Sequence, residues 1–573
     1  MDIESSETLL GGGSGGYTAV PEQHGGAVVG ATLAAAGTSH LFFLPGGHVA
    51  PVVQGCAAAG IELVSTRHES AAVFMAEAWA RCTGRTGVAA VTAGPGFTNA
   101  VTGIANSQST GIPTVVLGGR TPLGLRAKGA VQDCDQEAVA RVVAKWARTA
   151  TTAASLGPLV REALLTARDG RPGSAYLDLP TDVLTTEVPG DVATGVLPVR
   201  QRSSADPGAV EEAVRLLSQA ERPVVIAGGG AFWAEAGPAL RDFVDATGIP
   251  VTTTSHSRGL LPDSHPASLA SLLHDGVGVA LADVVLIVGS RFNGNLIFGG
   301  EPLWRADHTV IQIDTDPAGF ALNRTPDLGL LGDGAVVLRQ LAEAWTGEPK
   351  SSWCEEAKGY AEASRAQWHA EAAQGDAIGV HPGLLASEVC RFAAEVGPGS
   401  QTLVIDGGDI LGWGLAFVEA EEPGSVLFTS DALGTLGVGV PYAVAAPLAR
   451  PQGPTIALIG DGAFGLSAME IETAVRAGST PVIVVSNNGS WGDVRYEEAE
   501  WFGSTKGTDL TAARYDRLAE ALGGYGEHVE SPEQLRPALE RALASGVVSV
   551  VDVRTDPDRP NEILRNMGAL ALQ

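Results

Sequence analysis

Two apolar runs, TIALIG (455–460) and PVIVV (481–485), bracket a segment of helical period, and they constrain the chain more than any other stretch. The first run ends at Gly460-Asp461-Gly462, and Asn487-Asn488-Gly489 follows the second. Strand, tight turn, helix, strand and loop make a βαβ unit, whose two strands lie parallel. Both polar turns then leave the same sheet edge, the one at which ligands bind in such folds. A carboxylate and an amide oxygen at neighbouring strand ends suit Mg²⁺, a hard cation that keeps water and phosphates in its shell. The glycines let backbone N–H groups approach a diphosphate, and a helix N-terminus favours its charge.

GDG followed at this distance by NN, each at the end of an apolar strand, resembles the thiamine-diphosphate enzymes. The resemblance implies Asp461, Asn488 and the backbone carbonyl of Ser490 as Mg²⁺ ligands, with Gly460, Gly462, Ala463 and Trp491 against the cofactor. An ordinary turn beside an unrelated Asn pair is the alternative, and the rest of the chain weakens it. Upstream, VLFTSDALGTLGVGVPYAVAA (426–446) carries glycines at 434, 437 and 439. In that family the backbone here, by position Gly434, receives the aminopyrimidine. A bulky residue, here Leu436, wedges the cofactor into a bent shape; plain core packing is the other role for such a leucine.

At 573 residues the chain is too long for one core, and length alone suggests about three or four domains. No apolar run approaches the roughly 20 residues that span a membrane. The start, MDIESSETLLGGGSGGY, is acidic and glycine-rich and lacks the pattern of a signal peptide, so a flexible tail (1–17) on a cytoplasmic protein is expected. Five cysteines, at 56, 82, 134, 354 and 390, show no metal-type spacing and read as reduced thiols. A net charge of −28 argues against nucleic acid and anionic membranes as partners.

Strand-like runs alternating with helical segments predict an α/β chain of three doubly wound parallel-sheet domains. The expected division is 18–190 (pyrimidine-binding), 204–347 (middle) and 377–555 (diphosphate-binding), with a tail or lid at 556–573. Glu69 closes the run IELVSTRHE (61–69) beside a helix start. A glutamate there most often serves only the helix dipole. Followed by GPGFTN (94–99), however, the segment resembles the pyrimidine-binding domain of the acetolactate-synthase-like enzymes. The resemblance implies a carboxyl that hydrogen-bonds the aminopyrimidine ring and favours the tautomer that takes up the thiazolium C2 proton. HLFFLPGGH (40–48) is similar to a benzaldehyde lyase segment whose second histidine relays protons, which makes His48 a catalytic candidate rather than an idle turn histidine. Gln132, in AVQDCDQ (130–136), is similar to a glutamine that points at the reacting centre in 2-hydroxyacyl-CoA lyases.

In the middle domain AGGG (227–230) fits a plain βα turn as well as a nucleotide site. GSRFNGNLIFGG (289–300) resembles a segment of the CoA-thioester enzymes, which favours an ADP-like nucleotide, or an empty site, over FAD. GDGAFGLSAMEIET (460–473) is similar to the GDSAFGFSGME run of 2-hydroxyacyl-CoA lyases and oxalyl-CoA decarboxylases, whereas NNGSWG (487–492) is closer to benzaldehyde lyase. The expected activity is a thiamine-diphosphate- and Mg²⁺-dependent C–C lyase that cleaves a 2-hydroxyacyl-CoA to formyl-CoA and an aldehyde or ketone. The alternatives are carboligases of the acetolactate-synthase or benzaldehyde-lyase type, oxalyl-CoA decarboxylase, and a non-catalytic subunit. The joint presence of Glu69, Asp461 and Asn488 argues against the last. In the family the glutamate and the aspartate that serve one cofactor come from different subunits, which implies a homodimer or homotetramer. Arg565-Asn566-Met567 belong either to a lid over CoA phosphates or to a docked end.

Overall fold

The computed structural model describes residues 20–188, 197–274, 276–373, 378–429, 432–511 and 513–561. The expected tail at 1–17 and the segment Arg565–Met567 lie outside them.

Three six-stranded sheets follow one another along the chain. The first holds β1 (His40–Phe43), β2 (Glu62–Ser65), β3 (Gly87–Val91), β4 (Thr114–Arg120), β5 (Trp146–Thr149) and β6 (Ser174–Pro180). The second holds β7 (Pro223–Ala227), β8 (Val251–Thr253), β9 (Ser268–Ser271), β10 (Val284–Val288), β11 (Thr309–Asp314) and β12 (Leu328–Leu331). The third holds β13 (Thr402–Asp406), β14 (Val426–Phe428), β15 (Thr455–Gly460), β16 (Val482–Asn487), β17 (Tyr525–Val529) and β18 (Ser549–Arg554). Their pairings are parallel. The central strands β3, β4, β7, β10 and β13 are buried along their whole length, as strands covered by helices on both faces must be.

Sheet order separates the domains by type. The first and third share one order, β2-β1-β3-β4-β6-β5 and β14-β13-β15-β16-β18-β17. The middle sheet runs β12-β11-β10-β7-β8-β9, the order of a dinucleotide-binding fold. Crevices open where connections leave in opposite directions, here between β1 and β3, between β7 and β10, and between β13 and β15.

Six helices position the sites: α1 (Glu69–Thr83), α2 (Pro95–Thr110), α3 (Gly439–Ala449), α4 (Asp461–Ser467), α5 (Glu470–Ala477) and α6 (Gly492–Phe502). α1 starts where His68 Nδ1 accepts from Ser70 N, and it stops at Gly84, whose φ of +69° only glycine adopts without strain. It is buried on nearly every side because it packs both on its own sheet and on α3 of the third domain. One apolar core therefore joins the first and third domains, including Phe42, Ala72 and Phe97 from one and Val440, Ile459 and Phe464 from the other. Within it, Tyr442 Oη donates to Glu77 Oε2 at 2.9 Å, so a buried carboxylate is matched across the junction.

Candidate active site

Apolar strands deliver the polar residues of the third domain to one edge. Gly407–Asp409 follow β13, Asp461 follows β15, and Asn488 follows β16. The tight turn expected after β15 is absent: extended Gly460 is itself the N-cap, and α4 begins at Asp461. The edge encloses a cavity of 310 Å³, at the low end of the range for small-molecule sites. Gly434, Leu436, Gly460, Asp461, Gly462, Ala463, Asn488, Ser490 and Trp491 all line it. Every third-domain residue singled out from the sequence is thus brought together.

The two polar loops are tied to each other. Asp461 Oδ2 accepts from Gly489 N at 2.8 Å, and Oδ1 accepts from Gly462 N at 2.9 Å. Asn488 Oδ1 accepts from Ser490 N at 3.0 Å. Its neighbour Asn487 points the other way, donating from Nδ2 to Asp552 Oδ1 at 2.8 Å and to Ala513 O at 2.9 Å. Asn487 therefore anchors the loop and leaves Asn488 to the cavity. Asp461 is 3% exposed, and burial pushes its carboxyl up to about 6 against the pull of the two N–H groups. Arg554, the cation that acts on it, hydrogen-bonds Asn487 Oδ1 instead, at 3.1 Å. A buried carboxylate without a bonded cation, beside an amide oxygen and a backbone carbonyl, is an oxygen donor set that fits Mg²⁺. The glycines are needed for space: a Cβ on Gly462 would stand 2.6 Å from the Trp491 ring.

Two supports are invisible in the motif. Asp406, fully buried at the end of β13, accepts from Gly437 N at 3.0 Å and Gly439 N at 2.7 Å and binds Thr429 Oγ. It holds the glycine-rich segment that carries Gly434 and Leu436; burial raises its pKa. Asp409 lines the same cavity and accepts from Asn561 N at 3.2 Å. Their signal in the sequence is IDGGD (405–409), an acidic glycine turn after an apolar run.

The first domain presents its candidates on the matching edge. Glu69, the first residue of α1, is 6% exposed, and its Oε2 accepts from Asn99 Nδ2 at 3.0 Å. Asn99 is the last residue of GPGFTN (94–99) and was not singled out from the sequence. His48 follows β1 and Gln132 follows β4, and the two side chains are neighbours. Burial lowers the His48 pKa, which the contact with Gln132 opposes. Gln132 has a φ of +62°, a strained backbone for a side chain of this kind. None of these three lines the 310 Å³ cavity, which is built from residues 407–494 alone.

In the middle domain a second cleft sits at the β7/β10 crevice, with Gly229, Gly230, Gly289, Arg291 and Asp314 among its walls. No helix of the described residues is long and apolar enough to cross a membrane.

Three family models match the chain. They are the N-terminal TPP binding domain of thiamine pyrophosphate enzymes (residues 23–139), the central domain (210–341) and the C-terminal TPP binding domain (406–553). The acetolactate synthase large subunit IlvG of Mycobacterium tuberculosis is 37% identical over 538 residues, 93% of this chain and 96% of its own. The 2-hydroxyacyl-CoA lyase of Oryza sativa is 33% identical over 559 residues, 93% and 95% of the two chains. The 2-hydroxyacyl-CoA lyase 2 of Homo sapiens is 31% identical over 545 residues, 88% and 85% of the two.

Proposed function

The chain belongs to the thiamine pyrophosphate enzymes, and from that premise we propose that it is a C–C lyase of the 2-hydroxyacyl-CoA lyase type. It cleaves a 2-hydroxyacyl-CoA between C1 and C2, giving formyl-CoA and an aldehyde or ketone. Thiamine diphosphate supplies the electron sink that such a cleavage needs. Asp461, Asn488 and the Ser490 carbonyl would hold Mg²⁺ and the diphosphate. Gly434 and Leu436 would line the middle of the cofactor, and Glu69 would bind its pyrimidine end.

The observation that carries the lyase assignment is the His48–Gln132 pair on the Glu69 edge. Cleavage of a 2-hydroxyacyl group requires a base for the hydroxyl proton. A histidine with a lowered pKa is neutral near pH 7 and accepts that proton, and Gln132 stands beside its ring. The CoA thioester comes from the likeness of residues 460–473 to the CoA enzymes and from the relatives that bear the lyase name. The 37% identity to an acetolactate synthase supports a second function, a carboligase that starts from a 2-oxo acid and releases CO₂.

The middle cleft would take an ADP-like nucleotide rather than FAD, its diphosphate against Arg291 and the glycine ends of β7 and β10. Two copies of the chain would close each site, because Glu69 does not reach the cavity that holds Asp461.

Mass spectrometry of the protein with Mg²⁺, thiamine diphosphate, formyl-CoA and a panel of aldehydes and ketones tests the assignment. New 2-hydroxyacyl-CoA, absent with Glu69→Ala, is expected. CO₂ and an acyloin from pyruvate, with no CoA product, would move the chain to the synthase branch.

A further inference from the structure

Arg67 and His68 stand between the end of β2 at Ser65 and the start of α1 at Glu69. Their backbone N–H groups bond neither to strand nor to helix. A single carboxylate of the third domain takes both. Arg67 N donates to Glu470 Oε1 at 3.0 Å and to Oε2 at 3.2 Å, and His68 N donates to Oε1 at 3.0 Å. Thr473 Oγ donates to Oε2 at 2.6 Å. Glu470 is 1% exposed, and burial raises its pKa. A carboxylate buried this deeply is costly unless its oxygens are bonded, and here the bonds come from another domain's turn.

Two neighbours on α5 complete the clamp. Arg476 Nη2 donates to Ser65 O at 2.7 Å, and Glu472 stands 3.7 Å from the Arg67 guanidinium. The anion meets amides and the cation meets a carbonyl, so the contact sets the direction of the turn as well as its place. Glu69 follows immediately, and its carboxylate is held by Asn99.

We propose that Glu470 is a positioning residue for Glu69. It fixes the Arg67–His68 turn so that α1 begins where the Glu69 carboxyl meets Asn99. The proposal rests on the role given to Glu69 above. α5 follows α4, which begins at Asp461, so Glu470 also sets how far this chain's Glu69 lies from its own cation-binding loop.

Two measurements test it. The first is hydrogen exchange of the cofactor-free protein, read on peptides spanning residues 62–72. Glu470→Ala should speed exchange of the two clamped amides by roughly ten- to a hundredfold, the worth of charge-assisted bonds. Glu470→Gln keeps an accepting oxygen and should retain most of the protection. The second is the rate at which bound thiamine diphosphate exchanges its C2 proton. Glu470→Ala should slow it by roughly a hundredfold, as misplacement of a reacting group does, with cofactor affinity little changed and Glu470→Gln intermediate. Unchanged exchange at 62–72 in Glu470→Ala overturns the clamp. Intact C2 exchange in Glu69→Ala overturns the role of Glu69. C2 exchange lost in Glu69→Ala but at the wild-type rate in Glu470→Ala overturns the positioning role alone. If Glu470→Ala does not fold, Glu470→Leu, which keeps the bulk and removes both accepting oxygens, provides the same comparison.

Discussion

Gly462 offers a test in which the sign of a mutation should invert. Its backbone lies against the Trp491 ring, and an added Cβ would stand 2.6 Å from both Cε3 and Cζ3. Carbon atoms at rest are about 3.5–4 Å apart, so the ring would have to withdraw by about 1 Å. Trp491 N donates to Thr508 O at 2.8 Å, which ties the ring's backbone to the loop that follows α6. Overpacking of this kind costs about 1–3 kcal/mol. Gly462 is also helical, in α4, where alanine is better than glycine by about 1 kcal/mol. Gly462→Ala alone should therefore destabilise by up to about 2 kcal/mol and loosen Mg²⁺–thiamine diphosphate binding. In a Trp491→Ala background the clash is gone and only the helix term remains, so the same substitution should stabilise by roughly 0.5–1 kcal/mol. Urea denaturation of the four proteins of this cycle, with cofactor titration, measures both. Equal destabilisation by Gly462→Ala in the two backgrounds would refute the steric account. Gly462→Ser, the residue in the lyase-type GDS run, should behave like alanine and be tolerated only when Trp491 is reduced.

Two further outcomes follow from the same packing. If each site takes Glu69 from one chain and Asp461 from another, mixing inactive Glu69→Ala with inactive Asp461→Ala should restore roughly a quarter of the activity after subunit exchange, and no recovery would place both residues in one chain's site. Glu77 is fully buried between the first and third domains, and burial raises its carboxyl to about 7, against donors from Ser107, Tyr442 and Asn106. A carboxyl raised in the fold contributes stability that is present below its ordinary value of 4.5 and lost as pH rises through about 7. Two to three pH units correspond to roughly 3 kcal/mol, so wild-type unfolding free energy should fall relative to Glu77→Gln between pH 5 and 8, and parallel pH profiles would contradict it.

The parts of the molecule legible in the sequence are those whose cause is local. β10, β15 and β16 are buried on both faces and read as continuous apolar runs. β5 and β17 lie at sheet edges, are half exposed, and carry no such run. The order of strands within each sheet has no local signal at all. Of the nine third-domain residues around the cavity, seven are legible because they sit in or shortly after a strand end, and Gly434 and Leu436 because they lie in the glycine-rich run before α3. Asn99 and Glu470 are not, because their partners lie 30 and 403 residues away. Glu470 looks in sequence like one more acidic residue in the first turn of a helix, and only the packing of α5 against another domain gives it work.

One chain carries two half-sites on sheets of the same strand order, and they do not meet in its own cavity. The carboxyl edge of the first domain holds Glu69 and His48, and the corresponding edge of the third holds Asp461 and Asn488, the residues that would ligate a cation. A second copy is the economical way to complete both, because a single interface repeated by two-fold symmetry closes two sites at once. The loops that would meet it are apolar where they need not be: Leu433 is 43% exposed beside Gly434, and Leu466 and Met469 are 60% and 45% exposed along the stretch from Asp461 to Glu470. Val131, next to Gln132, is 81% exposed. Two chains each at −28 repel one another at long range, so any association of two copies would have to come from covering surface of this kind. The same contact would exclude water from the cavity, which would strengthen the proposed hold of Asp461 and Asn488 on a cation. Assembly and cofactor binding should then be linked, each raising the affinity of the other.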